Sequence, residues 1–130
     1  MNCKIIAIEE FKRDAKKLLK KYVSLKNELA QLQTDLQANP RMGTLIQENT
    51  YKIRLAVKSK GKGKSGGMRI ITHVVELEIL VTESIIEHEI TVFLLTIYDK
   101  PELENISDSE LTHLIKEVNN DLDSEEKREE

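Results

Sequence analysis

The apolar residues of this chain change their spacing near residue 50, and that change limits the folds open to it. Over residues 9–22 and 24–39 they recur every three or four positions, which predicts two amphipathic helices. Over residues 51–57 they alternate with mainly cationic residues, which predicts a strand with one apolar and one cationic face. Residues 68–75 and 90–98 are rich in β-branched residues and predict two further strands.

Local signals set the limits of the second helix. Ser24 is of the residue type that caps helix N-termini, and Glu28 follows in the first turns. Asn39 precedes Pro40, and the residue before a proline disfavours helical backbone. Because the two helices are joined by a very short connection, the sequence predicts an antiparallel pair.

The ends of the chain complete the predicted order of elements. Cys3–Ile8 is a short apolar run that predicts an N-terminal strand. Ser107 with Glu110 three residues later forms a capping box, which opens a C-terminal helix. The predicted fold is therefore α+β: a short N-terminal strand, an antiparallel helix pair packed on one face of a small antiparallel sheet, and a C-terminal helix. Residues 76–89 are expected to form a long hairpin, whose role the sequence leaves open.

The length of 130 residues, 39 % of them hydrophobic, fits one domain with one core. Residues 1–120 are predicted to form that domain, and residues 121–130 a disordered acidic tail. Cys3 is the single cysteine, so an internal disulfide is excluded. No apolar run approaches the roughly 18 residues of a membrane span. The protein is therefore expected to lie in the reducing cytoplasm.

The net charge of −3 hides a strong segregation of charge along the chain. Residues 49–75 contain seven basic residues and no acidic one, whereas residues 101–130 contain three basic and eleven acidic residues. The middle of the chain is thus a concentrated cationic segment within an acidic protein. Such a segment favours a polyanion, and phosphate backbones are the commonest kind.

The residue types of the cationic segment suit metal-free cleavage of RNA. His73, His88 and His113 lie far apart without paired spacing, so no metal or other cofactor is predicted. A positioned lysine can take the proton from a ribose 2′-hydroxyl, and arginines can stabilise the extra charge on phosphorus in the transition state. The substrate supplies its own nucleophile in this chemistry.

Three segments of the sequence, residues 51–55, 60–71 and 93–100, resemble blocks of the RelE/ParE toxin superfamily. The RelE-like HigB branch is the most similar, with its KIR, KGKGKxGGxRII and LLTIYxK blocks. The resemblance implies a RelE-like fold and the toxin of a bacterial type II toxin–antitoxin system. It further implies a ribosome-dependent endonuclease (an mRNA interferase) that cuts mRNA in the ribosomal A site by attack of the 2′-hydroxyl. The implied partners are the ribosome, mRNA and a HigA-like helix-turn-helix antitoxin.

The resemblance also implies roles for individual residues. Lys52 and Arg54 match the basic pair of the family, and Arg69 matches the arginine that contacts the scissile phosphate. Tyr98 would stack on the substrate base, and Lys100 falls where the family often has an arginine that acts as the acid. Four lysines would contact mRNA or ribosomal RNA: Lys58, Lys60, Lys62 and Lys64.

Other functions stay open at the level of the sequence. The superfamily includes ParE-type inhibitors of DNA gyrase, which cut nothing, and a degenerate toxin would only bind its antitoxin. A plain nucleic-acid-binding module is a third reading, although the chain has few aromatics that could stack on bases. The nuclease hypothesis requires that Arg54 and Arg69 lie on the same side of the sheet.

Overall fold

The computed structural model describes residues 2–61, 67–99 and 106–129. These residues form an α+β fold with three α-helices and five strands. The elements, in chain order, are β1 (Asn2–Ala7), α1 (Glu9–Lys21), α2 (Leu25–Ala38), β2 (Thr44–Gln47), β3 (Thr50–Leu55), a 3-10 turn (Lys58–Lys60), β4 (Met68–Thr82), β5 (Ile85–Asp99) and α3 (Asp108–Glu129). None of the helices within the described ranges has the length and apolar content needed to cross a bilayer.

The five strands form one mixed sheet with the order β1-β5-β4-β3-β2. The strands β2 to β5 pair antiparallel with their chain neighbours, whereas β1 pairs parallel with β5. The prediction of a wholly antiparallel sheet is therefore wrong at this edge. Parallel neighbours need a long crossover connection, and the segment from α1 to β4 supplies it.

The first described hairpin contains a strand that the sequence pattern did not predict. The strand β2 has the sequence TLIQ, which shows no alternation of apolar and polar residues, and all four of its residues are exposed. Two backbone features shape this region. Asn49, in the turn between β2 and β3, has φ 59, a conformation that asparagine tolerates better than most residues. Gly43 has φ 101, and a Cβ there would lie 2.6 Å from the carbonyl oxygen of Lys52.

The helix pair covers one face of the sheet, and the spacing of its apolar residues predicted this correctly. The helix α1 buries Phe11, Ala15 and Leu18, whereas α2 buries Leu25, Leu32 and Leu36. The helix α1 packs against β5 and α2 against β1. The covered face is identified by a cavity that α2 shares with sheet residues Ile5, Ala7 and Leu94. The pairing register places these on the same face as a row of three isoleucines: Ile53, Ile70 and Ile97.

The strands β4 and β5 extend well beyond the rest of the sheet. Each has 15 residues, and the predicted hairpin of residues 76–89 is the outer half of this pair. Every residue from Glu76 to His88 is exposed. We call residues 76–89 the arm.

The C-terminal helix begins as the capping box predicts. The backbone N–H of Glu110 donates a hydrogen bond to Ser107 Oγ over 3.2 Å. The helix continues to Glu129. The division of the chain at residue 120 stays a prediction.

Candidate functional site

Three of the predicted site residues lie in one row across neighbouring strands. Arg54 of β3 is paired with Arg69 of β4, and Arg69 is paired with Tyr98 of β5. Directly paired residues of antiparallel strands point to the same face, with Cβ atoms about 4.5–5.5 Å apart. We call these three residues the arginine row. The two arginines therefore share a face of the sheet, and it is the face opposite the helix pair.

Lys52 extends the cationic surface of the arginine row along β3. It lies two positions before Arg54, and side chains two apart on a strand point to the same side. Lys52 is half-buried and Arg54 is exposed. The accessible positive charge of this site therefore lies on β3.

Burial increases from one end of the arginine row to the other. Arg69 is 4 % exposed and Tyr98 is 8 % exposed. The Nη1 atom of Arg69 donates a hydrogen bond to the carbonyl oxygen of Met68 over 3.2 Å. The hydroxyl of Tyr98 is buried and lies beside the backbone of Ile106, and no side chain of the described residues bonds it. Burial raises the pKa of Tyr98, and the positive charge of Arg69 offsets part of that rise. Tyr98 is thus a neutral phenol held beside a buried guanidinium.

Lys60 lies on the other side of the sheet from the arginine row. Its ammonium forms an ion pair with the carboxylate of Asp99, and the two side chains are 7 % and 4 % exposed. The hydroxyl of Tyr22 donates to the same carboxylate over 3.0 Å. Asp99 is paired with Met68, and alternation puts it on the helix-pair face. Lys60 is therefore not brought together with the arginines, and the structure ties it to a buried carboxylate instead.

The start of the cationic loop is fixed by the beginning of α2. The backbone N–H of Lys58 donates to Glu28 Oε2 over 2.7 Å, and that of Ser59 donates to Ser24 Oγ over 2.9 Å. Ser24 stands at the N-cap position, but its hydroxyl makes no capping bond to the helix backbone, contrary to the sequence prediction. It bonds Glu28 and Ser59 instead. The side chain of Lys58 remains exposed.

Three of the predicted site residues, Lys62, Lys64 and Lys100, lie outside the described residues. The sequence reasoning missed Asp99, because a single aspartate at the end of a strand gives no sign of burial. The one available signal was its isolation: it is the only acidic residue between Glu89 and Glu102. A carboxylate that is buried needs a cationic partner, and the nearby loop offers several lysines.

His73 lies in the middle of β4 and bonds a neighbouring strand. Its Nδ1 atom is 2.9 Å from Thr50 Oγ1, and burial lowers its pKa from the usual 6.5. Within the described ranges, no three His, Cys, Asp or Glu side chains are grouped closely enough to hold a metal ion. His73 is a structural residue in this arrangement.

The stability of the protein is expected to fall as the pH drops below about 6.5, in part through His73. Because its pKa is lowered in the folded state, the unfolded chain takes up a proton at a higher pH than the folded protein. The contribution is fully present above the unfolded pKa and is lost as the pH falls through the folded pKa. The urea midpoint of His73→Asn should decline less over this range than that of the wild type. Equal declines would contradict the assignment.

Comparisons with known proteins do not assign this chain to a family. No protein-family model matches the chain, and no solved structure matches it. The class that the structure defines is an α+β domain with a five-stranded mixed sheet, a helix pair on one face and the arginine row on the other.

Proposed function

We propose that this protein is a ribosome-dependent mRNA endonuclease, the toxin of a type II toxin–antitoxin system with a RelE-like fold. The observation that carries the proposal is the arginine row: Arg54, Arg69 and Tyr98 lie side by side on three neighbouring strands. Lys52 is next to this row on the same face. These side chains are of the types that can bind a phosphodiester and move protons without a metal ion.

The proposed reaction uses the hydroxyl of the substrate. The 2′-oxygen of a ribose loses its proton and bonds to the adjacent phosphorus, and the bond from phosphorus to the 5′-oxygen breaks. The leaving 5′-oxygen takes up a proton, and the products are a 2′,3′-cyclic phosphate and a 5′-hydroxyl. Negative charge grows on the phosphate oxygens in the transition state, so a fixed guanidinium there lowers the barrier.

The burial gradient suggests a division of roles within the site. Arg54 is exposed and Lys52 half-exposed, so these two would contact the phosphodiester. Arg69 and Tyr98 are buried, so they act in this proposal as positioning residues. Arg69 adds positive charge directly beside Arg54, and the neutral Tyr98 completes the packing around it. Lys58 is exposed near the same end of the sheet and would contact RNA farther along the strand.

The proposed partner is an antitoxin that covers the accessible cations. A HigA-like protein would need an acidic or hydrogen-bonding segment that reaches Lys52 and Arg54. Electrostatic complementarity of this kind speeds association and makes binding sensitive to salt. Binding of such a protein should therefore block access of RNA to the arginine row.

The test is cleavage of a defined mRNA by the purified protein, with and without ribosomes. We expect cuts within the codon in the A site only when ribosomes are present, and fragments that end in a cyclic phosphate. Primer extension maps the cuts, and a 3′ end that resists phosphatase until acid has opened the ring identifies the cyclic phosphate. Intact mRNA together with inhibited DNA supercoiling would replace this proposal with the gyrase-inhibitor alternative. Intact mRNA with normal supercoiling would overturn both.

A further inference from the structure

The arm combines exposed apolar side chains with negative charge. Its residues 76–89 include five glutamates and one histidine, and no lysine or arginine. Six large apolar residues of the arm are exposed: Leu77, Ile79, Leu80, Val81, Ile85 and Ile86. Contiguous exposed apolar surface of this kind marks a site of interaction with another molecule.

One face of the arm carries an apolar row beside an acidic row. Leu77 is paired with Glu89, and Ile79 is paired with Glu87, so these four side chains point to the same side. Leu77 is 49 % exposed and Ile79 is 42 % exposed. Glu89 contacts Lys4 over 3.1 Å, at the base of the arm. Successive side chains within each row are about 6.6–6.8 Å apart along the strand.

A groove on the helix pair carries the matching pattern. It has a volume of about 490 Å³, and its floor is apolar, formed by Ala7, Phe11, Ala15, Leu19 and Leu29. Its rim is formed by three lysines of α1: Lys12, Lys16 and Lys20. These lysines are four residues apart, so they stand in one row with a spacing of about 6 Å along the helix. Leu19, which the helical pattern places in the core, is 39 % exposed here.

The two surfaces are complementary in both charge and spacing. The apolar row of the arm matches the apolar floor of the groove, and Glu87 beside that row matches the lysines of the rim. The rows of the strand and of the helix advance by nearly the same distance, so several pairs can meet at once. Leu77, Ile79 and Glu87 are exposed in their own chain, which leaves them unengaged by its groove.

We propose that the protein forms a dimer in which the arm of each copy lies in the lysine-rimmed groove of the other. The occupant of the groove is thus residues 76–89 of a second copy. Reciprocal exchange makes two such contacts per dimer and closes the assembly. This proposal does not depend on the proposed nuclease activity.

The test is the mass of the full chain in solution, measured by sedimentation equilibrium at low and high salt. We expect a dimer for the wild type that dissociates more readily as salt rises, because part of the contact is between opposite charges. An arm variant, Leu77→Ser/Ile79→Ser, and a groove variant, Lys16→Glu/Lys20→Glu, should each be monomeric. Leu45→Ser is the matched control, because Leu45 is an exposed apolar residue outside both surfaces, and it should stay dimeric.

Mixing the two variants distinguishes this arrangement from other dimers. The arm variant retains an intact groove, and the groove variant retains an intact arm, so together they can make one of the two contacts. We expect the mixture to form a heterodimer weaker than the wild-type dimer. Circular dichroism should show that both variants fold, since the substituted residues are surface positions. A monomeric wild type, or a mixture that stays monomeric while the wild type dimerises, would overturn the proposal.

Discussion

Lys60→Met is expected to destabilise the folded protein by about 3–5 kcal/mol, because it leaves a buried carboxylate without its cation. The ammonium of Lys60 and the carboxylate of Asp99 contact each other with both side chains almost fully buried. Methionine keeps the apolar stem and removes only the charge. The hydrogen bond from Tyr22 remains, but one neutral donor does not replace the attraction of a full positive charge.

Urea denaturation at neutral pH measures this loss of stability, and two further variants serve as controls for it. Lys58→Met removes an exposed lysine two residues away and should change the free energy of unfolding by less than about 0.5 kcal/mol. The double variant Lys60→Met/Asp99→Leu removes both charges and should recover most of the loss, since an apolar pair of similar volume is often as stable as a buried ion pair. A Lys60→Met variant as stable as Lys58→Met would show that the pair contributes nothing to stability.

The helices and β3 could be predicted because each has an apolar face with a regular period, and β1, β4 and β5 because their segments are rich in apolar or β-branched residues. The helix α1 buries residues at positions 11, 15 and 18, as a period of 3.6 requires. The strand β3 buries Ile53 and exposes Arg54, as alternation requires. The strand β2 could not be predicted in this way, because it buries none of its four residues. It forms through its turn and its backbone pairing with β3, which leave little trace in hydropathy.

The neighbours of β1 could not be predicted from local pattern. The sequence pattern of a short apolar strand is the same whether the strand pairs parallel or antiparallel. The partner strand β5 begins at Ile85, 78 residues after β1 ends at Ala7. The exposed arm shows the same limit. Its alternation of isoleucine and leucine with glutamate predicts strands, but whether their apolar side is covered depends on the rest of the fold.

The candidate site shows which properties the sequence carried and which it did not. Alternation on β3 predicted that Lys52 and Arg54 share a face, and the antiparallel register then brought Arg69 and Tyr98 to the same row. The burial of Arg69 was not predicted, because a strand arginine between methionine and isoleucine carries no local sign of whether another element covers it. Lys60 was grouped with the other cations for the same reason, since lysines in one loop are alike until a buried acid selects one of them.

Arg54→Ala is expected to lower the rate of ribosome-dependent mRNA cleavage by about 10²–10³-fold, the usual loss when one preorganised donor to a transition-state oxyanion is removed. Arg54 is the exposed end of the arginine row, so the fold should tolerate the substitution. Arg54→Lys should retain part of the activity, because lysine keeps the charge but not the planar, bidentate geometry. Cleavage at the mapped codon is measured by primer extension under single-turnover conditions. Arg13→Ala is the matched control: Arg13 is an exposed arginine on α1, paired only with Glu10 among the described contacts, and its loss should leave the rate unchanged.

Arg69 allows a positioning role to be separated from direct contact with RNA. Its guanidinium is buried and bonded to the backbone of Met68, so Arg69→Ala should lower both stability and activity and cannot distinguish the two roles. Arg69→Lys keeps the buried charge. If Arg69 acts through Arg54, Arg69→Lys should lower the cleavage rate about tenfold with little change in binding of the ribosome. Added to Arg54→Ala, the same substitution should lower the rate almost no further, because the two residues then act as one unit. Equal losses in both backgrounds would assign Arg69 its own contact with the phosphate. Wild-type cleavage by Arg54→Ala would remove the arginine row from the mechanism.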